Sequence, residues 1–160
     1  MSTFKDPSQV IEVAIRIERE GILFYDRLSE HAFSPVARDV FSYLAAEEEK
    51  HAGTFRKLLE NATDYVPKFS YPGEFGVFID ELASLALDAL NQPATVVYEK
   101  DFNAAISLGI QVELESILFY KEICDLFPEE ERSILKKIIE EEKCHLLELK
   151  NVKAKNELDK

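Results

Sequence analysis

The sequence predicts an all-α fold, a four-helix bundle built from two antiparallel hairpins joined by one long crossover. Three observations predict it. Apolar residues recur at i, i+3 and i+4, the spacing of a buried helix face, in four long segments. The links within each pair of segments are short, whereas the link between the pairs, about residues 62–100, is far longer. One pattern is also written twice at an offset of 95: residues 13–28 read VAIRIEREGILFYDRL and residues 108–123 read LGIQVELESILFYKEI.

Each element has its own local cause. The first helix is expected to start at Asp6-Pro7, an N-cap residue followed by a proline in the first turn, with an apolar stripe of Ile11, Ile15, Ile22 and Tyr25. Ser34-Pro35 opens the second, whose stripe is Leu44, Phe55 and Leu58. In the crossover, Pro67, Pro72, Gly73, Gly76 and Pro93 interrupt the pattern and leave one short helical run, Phe78 to Leu90. A helix of ~25 residues is about 38 Å long, and a crossover with one embedded helix covers that length. The third helix starts near Asp101 and buries Ile106, Ile110, Ile117 and Tyr120. The fourth opens at Pro128 with acids behind it, which suits the helix dipole, and its stripe is Ile134, Ile138 and Leu149. The tail, residues 151–160, is polar and expected to fray. Residues 1–160 read as a single domain.

Composition excludes several classes. The 46% hydrophobic and 31% charged fractions are those of a soluble globular chain. No apolar run approaches the ~18–20 residues of a membrane span. The start, MSTFKDPSQV, has neither the basic residues nor the apolar stretch of a signal peptide. Cys124 and Cys144 lie far apart and fit reduced thiols in a cytoplasm. A net charge of −12 argues against nucleic acid and membrane as partners.

The chemistry lies in acids placed where a core should be apolar. LAAEEEKH ends at His51 and IIEEEKCH ends at His145, an offset of 94. Each half thus carries a lone Glu and then a Glu-x-x-His: Glu18, Glu48 and His51, then Glu113, Glu142 and His145. Glu18 shares a stripe with Ile15 and Ile22, and Glu113 with Ile110 and Ile117. The Glu-x-x-His pairs sit between Leu44 and Phe55 and between Ile138 and Leu149, so all six candidates point inward. They also share a depth, since Glu18, Glu48, Glu113 and Glu142 follow their helix starts by 11, 13, 12 and 14 residues. One such Glu is usually a snorkelling side chain, and one Glu-x-x-His in an acidic run is a weak signal. Both elements, twice, at matched depth, are a metal-ligand set. Four buried carboxylates would repel one another. Two divalent cations cancel that charge, and carboxylate with imidazole suits iron or manganese, with zinc as a substitute.

The motifs Glu18-x6-Tyr25, Glu48-x-x-His51, Glu113-x6-Tyr120 and Glu142-x-x-His145 resemble those of the rubrerythrin-related, ferritin-like di-iron carboxylate family, over about residues 7–155. The resemblance implies two iron ions per chain. Glu48 and Glu142 would bridge them, Glu18 and His51 would complete one, and Glu113 and His145 the other. It also implies that Tyr25 and Tyr120 hydrogen-bond ligand carboxylates. The chain departs from the family in three ways. It has no four-cysteine rubredoxin domain, so electrons must come from a separate donor protein. The family's additional Glu one turn from the third-helix ligand is missing, since Ile110 and Ser116 flank Glu113. Haem-binding relatives use Met, and the one Met here is Met1.

The other polar residues read as structural. His31 ends the first helix, where a partial positive charge suits the dipole. Glu20 and Glu115 read as solvated. Glu47 and Glu141 could orient a His on a neighbouring helix, but they also read as solvated. Cys144 faces away from the layer, and Cys124 reads as a small buried residue.

The expected function is a cytoplasmic di-iron oxidoreductase reacting with hydrogen peroxide or dioxygen. One alternative is an iron-handling protein that oxidises Fe(II) for sequestration; another is a non-catalytic bundle acting through protein contacts. A homodimer is expected through the aromatic crossover residues Tyr65, Phe69, Tyr71, Phe75 and Phe78.

Overall fold

Ser34 starts a helix by its own chemistry. Its backbone is extended (φ −146°, ψ 156°), and its hydroxyl accepts from the Ala37 N–H at 3.2 Å. Pro35 behind it needs no hydrogen-bond partner. The described residues form five helices: α1 (Pro7–Glu30), α2 (Pro35–Asn61), α3 (Gly73–Leu90), α4 (Phe102–Cys124) and α5 (Glu129–Leu158). The computed structural model describes residues 7–62, 73–91 and 102–158, and among these there is no strand.

α1 packs along α2 and α4 along α5, which makes the two hairpins. α2 also touches α5 and α1 touches α4, closing the bundle, while α3 lies against α4 and α1. An aromatic cluster fixes one end. Phe102 meets Phe33 and Phe41 edge-on, with ring centroids 5.1 and 5.7 Å apart. The start of α4 therefore sits beside the turn between α1 and α2, so the chain must travel the bundle's length after α2.

The sequence reading of the buried stripes needs correction. Ile15, Ile22, Ile110 and Ile134 are only half-buried, while Ala14, Gly21, Ala105 and Gly109 are buried. The helices meet over small residues. A Cβ on Gly109 would stand 3.2 Å from Phe24 Cε1 and 3.3 Å from Leu149 Cδ1, so that close approach needs the missing side chain. The embedded helix is longer than Phe78 to Leu90, because it starts at Gly73. A glycine in the first turn costs little, which the breaker reading overlooked. The tail does not fray at residue 151. α5 runs on to Leu158, with Val152 and Asn156 buried and the Asn156 side-chain amide donating to Asn103 Oδ1. α4 is long and apolar enough to cross a membrane, which the sequence reading did not allow. Its inner face nevertheless carries Glu113 and packs into the bundle. Of the aromatic residues proposed for dimer contact, Phe78 is 45% exposed. Tyr65, Phe69, Tyr71 and the Phe75 side chain lie outside the described residues.

Candidate metal centre

Each half of the repeat delivers its acids to one layer. Glu18 comes from α1, Glu48 and His51 from α2, Glu113 from α4, and Glu142 and His145 from α5. All six are buried, with 4% exposure or less. Glu-x-x-His works on a helix because residues three apart share a face.

The two central carboxylates each face both imidazoles. Glu48 directs Oε2 to His51 Nδ1 at 3.4 Å and Oε1 to His145 Nδ1 at 3.7 Å. Glu142 directs Oε1 to His51 Nδ1 at 3.2 Å and Oε2 to His145 Nδ1 at 2.8 Å. The two rings stack 5.4 Å apart. Ligand atoms of Glu48, His51, Glu142 and His145 all fall within 4.8 Å of one another, a spacing that can hold a metal ion. Glu18 and Glu113 flank this group. Glu18 Oε2 stands 3.7 Å from His51 Nδ1.

Tyrosines from the opposite half hold the flanking acids. Tyr25 donates to Glu113 Oε1 and Tyr120 donates to Glu18 Oε1, so the hydrogen bonds cross between the repeats. Burial, and then the charges of the facing acids, push both phenols well above their usual range. They stay neutral and act as donors.

The electrostatics show what the layer lacks. Burial, then the Glu142 and Glu18 charges, push Glu48 well above the usual carboxylate range. Burial and the Glu142 charge do the same to Glu113. Glu142 is pushed up to about 7 by burial and by Glu18, against the pull of His51. Burial opposes charge on His51 and Glu18 too, but each is overcome. The facing carboxylates of Glu142, Glu18 and Glu48 raise His51, and the groups around Glu18, namely Glu48, His51 and Tyr120, lower it. Burial lowers His145. Glu48, Glu113 and Glu142 thus favour their protonated forms, which limits a negative charge that cations would cancel. Within the layer one polar atom is left over. His51 Nδ1 is buried without a hydrogen-bond partner and faces three carboxylates. A buried nitrogen directed at a cluster of oxygens fits a cation between them, so the donor set suits one.

Sequence reasoning brought the six acids and imidazoles to the right layer, but it misplaced their neighbours. Glu141 is not simply solvated, because its Oε2 meets His51 Nε2 at 3.1 Å. The position just before a central Glu is the signal for it, but an acidic run on a helix reads equally well as a solvated face. Glu47, the matching residue, is half-buried too and pairs with Lys50. Glu20 and Glu115 are half-buried rather than solvated, and Glu115 accepts from Gln111 Nε2 at 2.7 Å. Tyr43, which carries no sequence signal of its own, sets its ring edge-on to that of His145, with centroids 6.3 Å apart. His31 Nδ1 lies 2.8 Å from the Arg27 carbonyl, the structural role expected. Cys124 is buried and Cys144 exposed, both as free thiols.

Among curated proteins and among solved structures, none matches the chain. The family model for rubrerythrin matches residues 9–153, which include every acid and imidazole of this layer, and the chain belongs to the rubrerythrin family.

Proposed function

We propose that the protein is a di-iron carboxylate oxidoreductase that reduces hydrogen peroxide or dioxygen, with electrons from a separate donor protein. The observation that carries this reading is the pair Glu48 and Glu142, buried, each directing one oxygen to each imidazole. That arrangement supports a bridging role for both carboxylates. Glu18 with His51 would complete one metal position, and Glu113 with His145 the other. Two ferrous ions, giving one electron each, would supply the two electrons that, with two protons, reduce hydrogen peroxide to water or dioxygen to peroxide.

The chain's own residues do the rest. Tyr25 and Tyr120 hold one oxygen of Glu113 and of Glu18, leaving the other free for a metal. Burial of the layer excludes bulk water and makes a metal-free layer costly in charge. Two free thiols, and a net charge of −12 that disfavours anionic surfaces, support a cytoplasmic location. Exposed Phe78 on α3 supports a homodimer contact there.

One observation favours a second reading, iron handling by Fe(II) oxidation. The residue one turn beyond Glu113 is buried Ser116, and its counterpart in the first repeat is Gly21, so neither adds a carboxylate that could exchange during turnover. Two measurements test the reading. Protein from iron-replete expression should hold about two metal ions per chain. Stopped-flow oxidation of the reduced protein should be faster with peroxide than with dioxygen at equal concentration. Faster reaction with dioxygen, with iron lost after one turnover, would favour iron handling. Absence of bound metal after iron- and manganese-replete expression would end both readings.

A further inference from the structure

The two halves match inside the layer and differ just outside it. His51 Nε2 meets Glu141 Oε2 at 3.1 Å. A carboxylate there holds the Nε2 proton, so the Nδ1 lone pair points inward and gains basicity. Nδ1 indeed faces Glu142, Glu48 and Glu18 at 3.2, 3.4 and 3.7 Å. His145 has no such support. Its Nδ1 turns to Glu142 at 2.8 Å, its Nε2 has no hydrogen-bond partner among the described residues, and its flank is the edge of the half-exposed Tyr43 ring.

The sequence contains the cause. At the repeat offset of 94, Glu47 matches Glu141, Tyr43 matches Lys137 and Lys50 matches Cys144. Lys50, three residues beyond Glu47 on the same helix, captures it in an ion pair. At the matching place on α5 stands Cys144, which offers no charge. Lys137 reaches only the other oxygen of Glu141, Oε1, at 3.8 Å. Oε2 is left to cross to His51. A lysine on one helix and a cysteine on the other thus decide which imidazole is supported.

We propose that the two metal positions are unequal, that Glu141 is the positioning residue of the tighter one at His51, and that Lys50 keeps Glu47 from doing the same for His145. This rests on the di-metal reading. Titration of the metal-free full-length protein with Co(II), followed by calorimetry and absorbance, tests it. Two steps are expected. Glu141→Ala should weaken the first by ~10–100-fold and bring the two together. Lys50→Ala should tighten the second step by freeing Glu47. Repulsion between two ions would also separate the steps, but that separation would survive Glu141→Ala. Proton NMR of the Co(II) protein gives a second readout. The His51 Nε2–H signal should persist in D2O while that of His145 exchanges, and the contrast should vanish in Glu141→Ala. Two bound Co(II) ions with steps and exchange unchanged by Glu141→Ala would overturn the inequality and leave the di-metal reading standing. No bound Co(II) would overturn both.

Discussion

At the Phe102 end of the bundle, the rings of Phe33, Phe41 and Phe102 meet edge to edge and Asn156 bonds to Asn103. Nothing in that contact set titrates. In the middle, four carboxylates and two imidazoles are equally out of water. The end gains free energy from burial, at about 25 cal/mol per Å² of apolar surface. The middle loses it, because each buried charge must find a counter-charge or a proton. The difference teaches that the fold is held from its apolar layers, whereas the polar layer is a site whose cost a bound cation offsets.

The largest test of this contrast is pH. Glu142 titrates near 7 in the folded chain against 4.5 ordinarily, and Glu48 and Glu113 shift the same way. Between those pH values the folded metal-free protein binds more protons than the unfolded chain, so its stability falls as pH rises. The stabilisation is fully present below pH 4.5 and is lost through about pH 7. Each such proton contributes a slope of about 1.4 kcal/mol per pH unit. His51, also raised, extends the loss above its ordinary value of 6.5. Lowered His145 opposes it only below that value, and lowered Glu18 only below pH 4.5. Urea unfolding across this range should show the fall in metal-free protein and a much flatter profile once metal is bound. A metal-free protein whose stability rises from pH 5 to 7 would contradict the comparison.

Substitution at the end comes next. Phe41 is fully buried, and Phe41→Ala should cost roughly 3–5 kcal/mol. The loss should be alike with and without metal, because the cavity opens away from the acids. A metal-dependent loss would mean that the two regions are coupled.

The smallest effect is Tyr120→Phe. It removes the donor to Glu18 and should cost about 1.5–3 kcal/mol, as for hydrogen bonds to charged groups. The loss should shrink at low pH, where a protonated Glu18 needs the phenol less. Equal losses at pH 7 and at a pH low enough to protonate Glu18 would show that the ring, not the hydroxyl, matters there.

Much of this was legible in the residues. The repeat gave the two hairpins, because a sequence written twice folds twice. Helix starts at Pro7 and Pro35 followed from local chemistry, and so did the Ser34 cap. The six inward acids followed from spacing, since a shared stripe and a shared depth are both one-dimensional facts. The stripes themselves were read slightly out of phase. Hydropathy counted Ile15, Ile22 and Ile110, but close helix contacts select small residues such as Gly21 and Gly109. The extension of α5 past residue 151 was hidden because Val152 and Asn156 gain their worth from partners on other elements.

By itself, then, the sequence determined that there would be four long helices, that two halves would match, and which acids would be buried together. Periodicity carries that information along the chain. Tertiary structure decided who meets whom across helices. It sent Tyr25 to Glu113 and Tyr120 to Glu18, and it gave His51 the carboxylate of Glu141 while leaving His145 beside Tyr43. Such pairings depend on the rotation of each helix, on side-chain rotamers and on competition from neighbours such as Lys50, and no spacing along one chain encodes these before the helices have packed.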